Sequence, residues 1–221
     1  MAANFDRVAR SYRWLEYFSF GPILERCRFY RLRQISACSR ALVIGDGDGR
    51  FLARLMRENP LLTVEAIDSS REMLKLLKDR VEGLGAAGRL TLRCEDARNL
   101  TLSGQYDLVT THFFLDCLST EEIAALASRI RPHLSANVVW VVSDFAIPDG
   151  GAALPSQIVV SSLYAAFGIL TGLKTRSLPR HGEALRSAGF VLADRKEWLG
   201  GLLFSELWKF EATDQLRILS H

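Results

Sequence analysis

The chain has 221 residues, of which 48% are hydrophobic and 24% charged, with a formal net charge of +3. These values suit a globular core and exclude a disordered, collagenous or repeat protein, and the length fits one domain with an appendage rather than two domains. Cys27, Cys38, Cys94 and Cys117 are scattered with no C-x-x-C pair, which argues against a zinc site, a redox pair or a disulfide framework.

At the N-terminus residues 1–7 lack an apolar signal core, so a cytoplasmic location is expected. Residues 1–40 hold eight arginines against three acids, a local excess of +5 that leaves −2 for the remainder. Such an excess suits an exposed, solvated helix face better than a phosphate or anionic-lipid site, and peripheral membrane contact is the less favoured use of it. Phe5, Val8, Tyr12 and Leu15 recur at three- and four-residue steps, predicting a helix over 4–18. Gly21 and Pro22 interrupt it, and helix formers resume over 23–33. Two helices ahead of the first strand must pack on a sheet edge or over its opening. Residues 1–38 are accordingly expected to form a helical lid on a domain spanning 39–221.

The apolar run at 41–44 then breaks into Gly45, Asp46, Gly47, Asp48 and Gly49, and a helix follows over 50–58. A strand that turns through alternate glycines into a helix lets a ligand approach the backbone closely and meet the N–H groups of the helix start. The next strand, 62–68, ends in Asp68, nineteen residues beyond Gly49 and near the spacing at which a carboxylate reaches a ribose hydroxyl. A helix over 70–81, a strand over 89–94, a strand over 106–111, a helix over 120–131 capped by Ser119 or Thr120, and a strand over 136–142 complete an alternating series. Alternation implies parallel pairing through right-handed crossovers. Residues 148–155 read as a loop and 157–170 as a helix apolar nearly all round, a buried helix or the wall of an apolar pocket within an insertion at about 152–172. A helix over 179–187 and a hairpin of 190–194 with 202–210 close the chain. The expected fold is α/β: a doubly wound, mostly parallel seven-stranded sheet, Rossmann-like, with an antiparallel C-terminal strand.

Residues 83–88 match G-x-G-x-x-G, but they follow a helix and precede a strand, so they read as a helix end and turn. The loop at 45–49 has the right context, yet Arg50 stands where a dinucleotide site needs its last glycine. That disfavours NAD and favours another adenosine-bearing cofactor.

The order of the glycine loop, Asp68 with Ser69 and Met73, Asp96 with Ala97, and the strand ending at Thr111 resembles the motif series of class I S-adenosylmethionine-dependent methyltransferases over about residues 40–145. The resemblance implies S-adenosylmethionine as cofactor. Gly45, Asp46, Gly47, Asp48 and Gly49 would pass under its methionine part and Asp68 would hold both ribose hydroxyls. Asp96 would bond the adenine amine, and Ser69, Met73, Ala97 and Thr111 would complete the lining. The family's acid two positions before the first glycine is Val43 here, and Asp46 or Asp48 is the substitute at hand. Residues 5–12 with 19–21, and 178–190, are similar to ubiquinone and menaquinone biosynthesis C-methyltransferases, which would bring Tyr12 to the cofactor's methionine end; Arg13 stands where that group has an aspartate.

A sulfonium carries its own leaving group, so alignment and exclusion of water supply most of the catalysis, and a base is required only if the acceptor must lose a proton. His112 is the first candidate for acceptor contact or base and Asp116 the second, since both follow the strand at the switch point of such a sheet. His133 and His181 fall at predicted helix ends, and Asp144 ends the fifth strand. Tyr17, Phe18, Phe20, Phe113, Phe114, Tyr164 and Phe167 suit a small, partly apolar or aromatic acceptor. The Asn/Asp-Pro-Pro-aromatic and Pro-Cys motifs of base methylation are lacking, and so are aromatics interleaved with a basic strand surface, so nucleic acid is not expected as partner. No metal is expected, nor a transmembrane segment, and the chain is read as a monomer or homodimer. Two further readings compete: a non-catalytic S-adenosylmethionine-binding module acting through a partner, and an NAD-dependent oxidoreductase.

Overall fold

The computed structural model describes residues 22–148 and 178–210. The helix expected over 4–18, Tyr12 and the apolar stretch 157–170 lie outside the described residues. Seven strands form one sheet: β1 (Arg40–Ile44), β2 (Thr63–Asp68), β3 (Leu90–Cys94), β4 (Tyr106–His112), β5 (Leu134–Phe145), β6 (Phe190–Trp198) and β7 (Leu203–Phe210). Their order is β3-β2-β1-β4-β5-β7-β6, with β7 antiparallel to both neighbours and the other pairings parallel. The order reverses between β1 and β4, so the carboxyl ends of those strands form the switch point where a ligand crevice opens.

Continuous burial explains the central strands. Ala41, Leu42, Val43 and Ile44 of β1 are all buried, as a parallel strand covered on both faces requires. On one face Val43, Ala66, Leu108 and Val141 pack against Phe51, Leu52 and Leu55 of α2 (Arg50–Glu58) and Leu77 and Val81 of α3 (Arg71–Glu82). On the other, Leu42, Ile44, Val109, Trp140 and Val142 meet Ile123 and Leu126 of α4 (Thr120–Ile130) and Leu185 of α5 (His181–Ser187). Truncating one such side chain costs on the order of 2–5 kcal/mol.

The short helix α1 (Pro22–Phe29) lies ahead of the sheet and is fastened to β7. Leu24 and Cys27 pack on Leu203, the Cys27 thiol donates to the Phe204 carbonyl at 3.1 Å, and beyond the helix Arg31 donates to the Ser205 carbonyl at 2.9 Å and to Asp194. This corrects the expectation of an exposed, solvated basic helix face for two of its arginines. Arg26 and Arg33 are exposed, but Arg28 and Arg31 are buried, because the Ser205 carbonyl, the Asp194 carboxylate and the rings of Phe113 and Tyr30 surround them.

Local chemistry sets the helix limits. Ser119 and Glu122 form a reciprocal capping box at α4, and Ser70 caps α3 by accepting from the Met73 amide at 3.2 Å. The stretch 83–88 does end α3 and turn, with Gly85 at φ 67°. β6 runs on to Trp198, four residues past the expected end. Asp194, Arg195, Lys196 and Glu197 are exposed there, as suits charged residues on an edge strand.

Candidate functional site

The crevice is built from the turn after β1. Ile44 pairs with Thr111, so the loop 45–49 runs beside the end of β4, and Gly45 donates to the Ile67 carbonyl of β2 at 2.9 Å. Gly45, Gly47 and Gly49 all have positive φ, at 69°, 61° and 77°. Two of them also answer to close neighbours. A Cβ at Gly49 would lie 2.8 Å from the Leu77 Cα, so this glycine lets α3 touch the loop. At Gly45 the crowding atom belongs to the Phe114 ring. Gly47 is different: the nearest atom, Met73 Sδ, is 3.9 Å away, which leaves room over the loop.

The two acids of the loop have separate fates. Asp48 Oδ1 accepts from Arg50 Nε at 3.0 Å and Oδ2 from Arg80 Nη2 at 2.9 Å, while Arg50 also reaches Glu25 of α1 at 3.1 Å. That chain of ion pairs ties α1, the loop and α3 together. Asp46 Oδ2 accepts from the Leu52 amide at 3.0 Å in the first turn of α2, whereas Oδ1 is buried without a hydrogen-bond partner. Burial pushes the Asp46 carboxyl up to about 7, against the pull of the Arg28 guanidinium.

Asp68 ends β2, and Asp96 lies two residues past the end of the neighbouring strand β3. Asp68 pairs in register with Cys94, Glu95 donates to the Asp68 carbonyl at 3.1 Å, and Asp68 Oδ1 accepts from the Ser70 amide at 2.8 Å. Asp96 Oδ1 accepts from the Arg98 amide at 2.9 Å and its carboxylate pairs with the Arg98 side chain at 3.3 Å. Ser69 is exposed, Met73 and Ala97 are buried beside these turns, and the Thr111 hydroxyl accepts from Trp140 Nε1 at 3.0 Å inside the core.

The acceptor-side candidates fall on opposite faces of the sheet. His112 is buried against Phe51, ring centroids 4.1 Å apart, and neither ring nitrogen has a hydrogen-bond partner. Burial, with Arg28 nearby, holds its imidazole well below the usual range and so neutral. Asp116 lies on the α4 side, where its amide donates to Asp144 Oδ2 at 3.1 Å and its carboxylate accepts from the Cys117 thiol at 3.5 Å. Burial and the Asp116 charge drive the Asp144 carboxyl well above its ordinary value. His133 meets the Gly104 carbonyl at 3.1 Å and His181 meets Glu206 at 2.9 Å, both away from the loop. Among the described residues no group of three or more His, Cys, Asp or Glu is placed to hold a metal. Nor is any described helix long and apolar enough to cross a membrane.

Sequence reasoning missed Arg28. Its guanidinium lies 5.3 Å from the Phe113 ring centroid and acts electrostatically on both Asp46 and His112, yet an arginine on a basic helix carries no sign of burial. It also missed Glu65, a buried carboxylate in β2 that accepts from the Tyr106 hydroxyl at 2.5 Å and from Arg93 Nη1 at 2.7 Å.

The groups present fit an adenosine carrying an amino-acid tail. Open space over Gly47, carboxylates closing β2 and following β3, and a buried carboxylate oxygen with no donor are the features such a ligand uses.

Comparison with known proteins agrees. A family model described as a methyltransferase domain matches residues 41–137. A phosphatidylethanolamine N-methyltransferase of Cereibacter sphaeroides is 32% identical over 152 residues, 67% of this chain and 73% of that protein. A malonyl-(acyl-carrier protein) O-methyltransferase of Bacillus cytotoxicus is 24% identical over 64% of this chain and 48% of its own length. Among solved structures, the mitomycin 7-O-methyltransferase MmcR superposes with a TM-score of 0.67 at 14% identity, over 94% of this chain and 61% of that one. The S-adenosylmethionine-dependent methyltransferase SibL does so with 0.68 at 18% identity, over 95% and 62%. The chain thus spans about three fifths of those two structures, which bear on the fold alone. With the strand order, the glycine loop and these relatives together, the chain belongs to the class I S-adenosylmethionine-dependent methyltransferases, and S-adenosylmethionine is its cofactor.

Proposed function

We propose that the protein transfers the methyl group of S-adenosylmethionine to a small acceptor with an apolar or aromatic body, presented where β4 and β5 end. The observation that carries this reading is the aromatic pair at those ends. Phe113 follows β4 with φ 53°, a strained conformation for a bulky residue, and its ring meets that of Phe145 at 5.3 Å. Both rings are half-buried, packed against Leu24, Cys27 and Leu203 with Arg28 over Phe113, and what they leave open suits an apolar body better than a peptide or a nucleic acid. The relatives' names give acceptors of two kinds: phosphatidylethanolamine, which joins lipid chains to an amine and fits this reading, and malonyl-(acyl-carrier protein), which carries a carboxylate on a thioester arm. The likeness to quinone C-methyltransferases adds an aromatic ring to that set.

In this reading Asp68 holds the ribose, Asp96 the adenine, and the loop amides and Gly47 receive the methionine arm. The bound cofactor supplies an electrophilic methyl group. His112, kept neutral by burial, or Asp116, whose charge lies beside the raised Asp144 carboxyl, takes the acceptor's proton where one must leave. A screen of labelled methyl transfer to phenols, quinols, acyl thioesters and amine phospholipids tests the proposal. Transfer to one of these classes is expected. Cofactor binding with no transfer to any acceptor would favour the non-catalytic module instead.

A further inference from the structure

Among the described residues five large apolar side chains are well exposed, and three of them gather at one end of the sheet. Tyr30 and Leu199 are each 45% exposed and Ile147 is 40% exposed. The Tyr30 ring meets that of Trp198 edge-on, centroids 5.3 Å apart, and Leu199 follows Trp198 directly in the turn between β6 and β7. That turn lies beyond the carboxyl end of β5: Phe145 pairs with Leu203, Ala146 donates to the Leu202 carbonyl at 2.9 Å, and a Cβ at Gly201 would stand 3.1 Å from Pro148 Cβ, next to Ile147. Leu61 and Val191, the other two, stand singly, ahead of β2 and at the start of β6. Leu199 is the outlier of the group. Its φ is 52°, a left-handed torsion that disfavours a leucine, and it leaves nearly half of an apolar side chain outside the fold. The charges nearby are of one sign once internal pairs are removed. Arg26 and Arg33, four residues before Tyr30 and three after it, and Lys196, on the same strand face as Trp198, are exposed and form no salt bridge among the described residues. Glu25, by contrast, is paired with Arg50, Asp194 with Arg31 and Glu197 with Arg195.

We propose that this edge, with Tyr30, Trp198 and Leu199 between the cations, seats the protein on the surface of an anionic lipid bilayer. Leu199 enters the acyl boundary, the two aromatic rings lie at headgroup level, and Arg26, Arg33 and Lys196 meet the phosphates. A few apolar side chains flanked by cations of one sign suit headgroups better than a protein partner, whose interface would need a larger apolar area. The edge is continuous with the acceptor side, since Trp198, Phe113 and Phe145 pack on the one cluster of Leu24, Cys27 and Leu203. An acceptor with an apolar body would thus pass from the bilayer to the aromatic pair along apolar surface. That purpose rests on the acceptor class proposed above, whereas bilayer binding is measured without an acceptor, so the two fail separately.

Co-sedimentation of the full chain with vesicles tests this, using phosphatidylcholine alone and phosphatidylcholine with about one third phosphatidylglycerol. The wild-type protein should bind the anionic vesicles roughly tenfold or more tightly than the neutral ones, and that preference should shrink in about 0.5 M salt. Leu199→Gly suits the left-handed torsion and so keeps the fold, as a melting curve checks, but should bind the anionic vesicles roughly three- to tenfold more weakly. Arg26→Gln combined with Arg33→Gln should weaken binding about 30-fold, at about fivefold for each cation. No binding of the wild-type protein to anionic vesicles, or binding that either variant keeps in full, would overturn the proposal. So would a wild-type dimer that Leu199→Gly dissociates, because the edge would then be covered by a second copy of the chain.

Discussion

Phe114, two residues past β4, lies so close over Gly45 at the end of β1 that a Cβ there would stand 2.7 Å from the ring's Cγ. Gly45 also has φ 69°, so two separate costs oppose any side chain. Gly45→Ala should destabilise by about 2–5 kcal/mol, combining a left-handed torsion of about 1–2 with overpacking of about 1–3. Adding Phe114→Ala should recover the overpacking part and leave the torsional part. A double-mutant cycle by urea unfolding measures this, and strict additivity of the two changes would contradict it.

Glu65 binds two partners inside the sheet. Glu65→Ala strands the buried Tyr106 hydroxyl and takes one carboxylate from Arg93, which keeps Glu95 at 2.7 Å. A loss of about 3–5 kcal/mol is expected, against about 1 kcal/mol for Tyr106→Phe, which removes only the donor. Equal losses in urea unfolding would show that the carboxylate is not the centre of the network.

Asp46 sets a pH dependence. Its carboxyl is raised from 3.8 to about 7 in the folded chain, so the folded state binds this proton more tightly than the unfolded one. The stability this contributes is complete below the unfolded value and is lost as pH rises through about 7. Without ligand, the wild-type protein should therefore lose stability relative to Asp46→Asn between about pH 5 and about pH 8. Urea unfolding at several pH values provides the comparison, and a constant difference would count against the burial of Oδ1.

His112 has a separable role. His112→Phe keeps a ring against Phe51 and removes both nitrogens, so cofactor affinity should stay within about threefold. If the histidine takes the acceptor's proton, kcat should fall by about 10²-fold or more. Unchanged kcat with the identified acceptor would pass that role to Asp116.

The alternating order of strands and helices was legible because the central strands are buried on both faces and read as unbroken apolar runs. Ala41 to Ile44 and Val138 to Val142 are examples, the latter broken only by Val139 lying half-covered. Asp68 and Asp96 were legible because one ends a strand and the other lies two residues past one, where a side chain meets whatever occupies the crevice. Arg28 and Glu65 were not, since a charge inside a helix or strand reads as solvated until the element that buries it is known. The same limit applied at Arg195 to Glu197, where charged residues ended the expected strand at Asp194 but belong to an edge strand needing only one partner. Asp46 was visible as a candidate, but its difference from Asp48 came from tertiary neighbours: Arg80 lies thirty-two residues away along the chain.

The most direct test is calorimetric titration of S-adenosylmethionine into the wild-type protein and into Asp68→Ala, with melting curves as a control for folding. The wild-type protein should bind one equivalent, and the variant should keep its fold and bind roughly 10- to 100-fold more weakly, having lost a charged acceptor for the ribose hydroxyls. Binding that is unchanged in a folded Asp68→Ala protein would contradict the placement of the cofactor in this crevice.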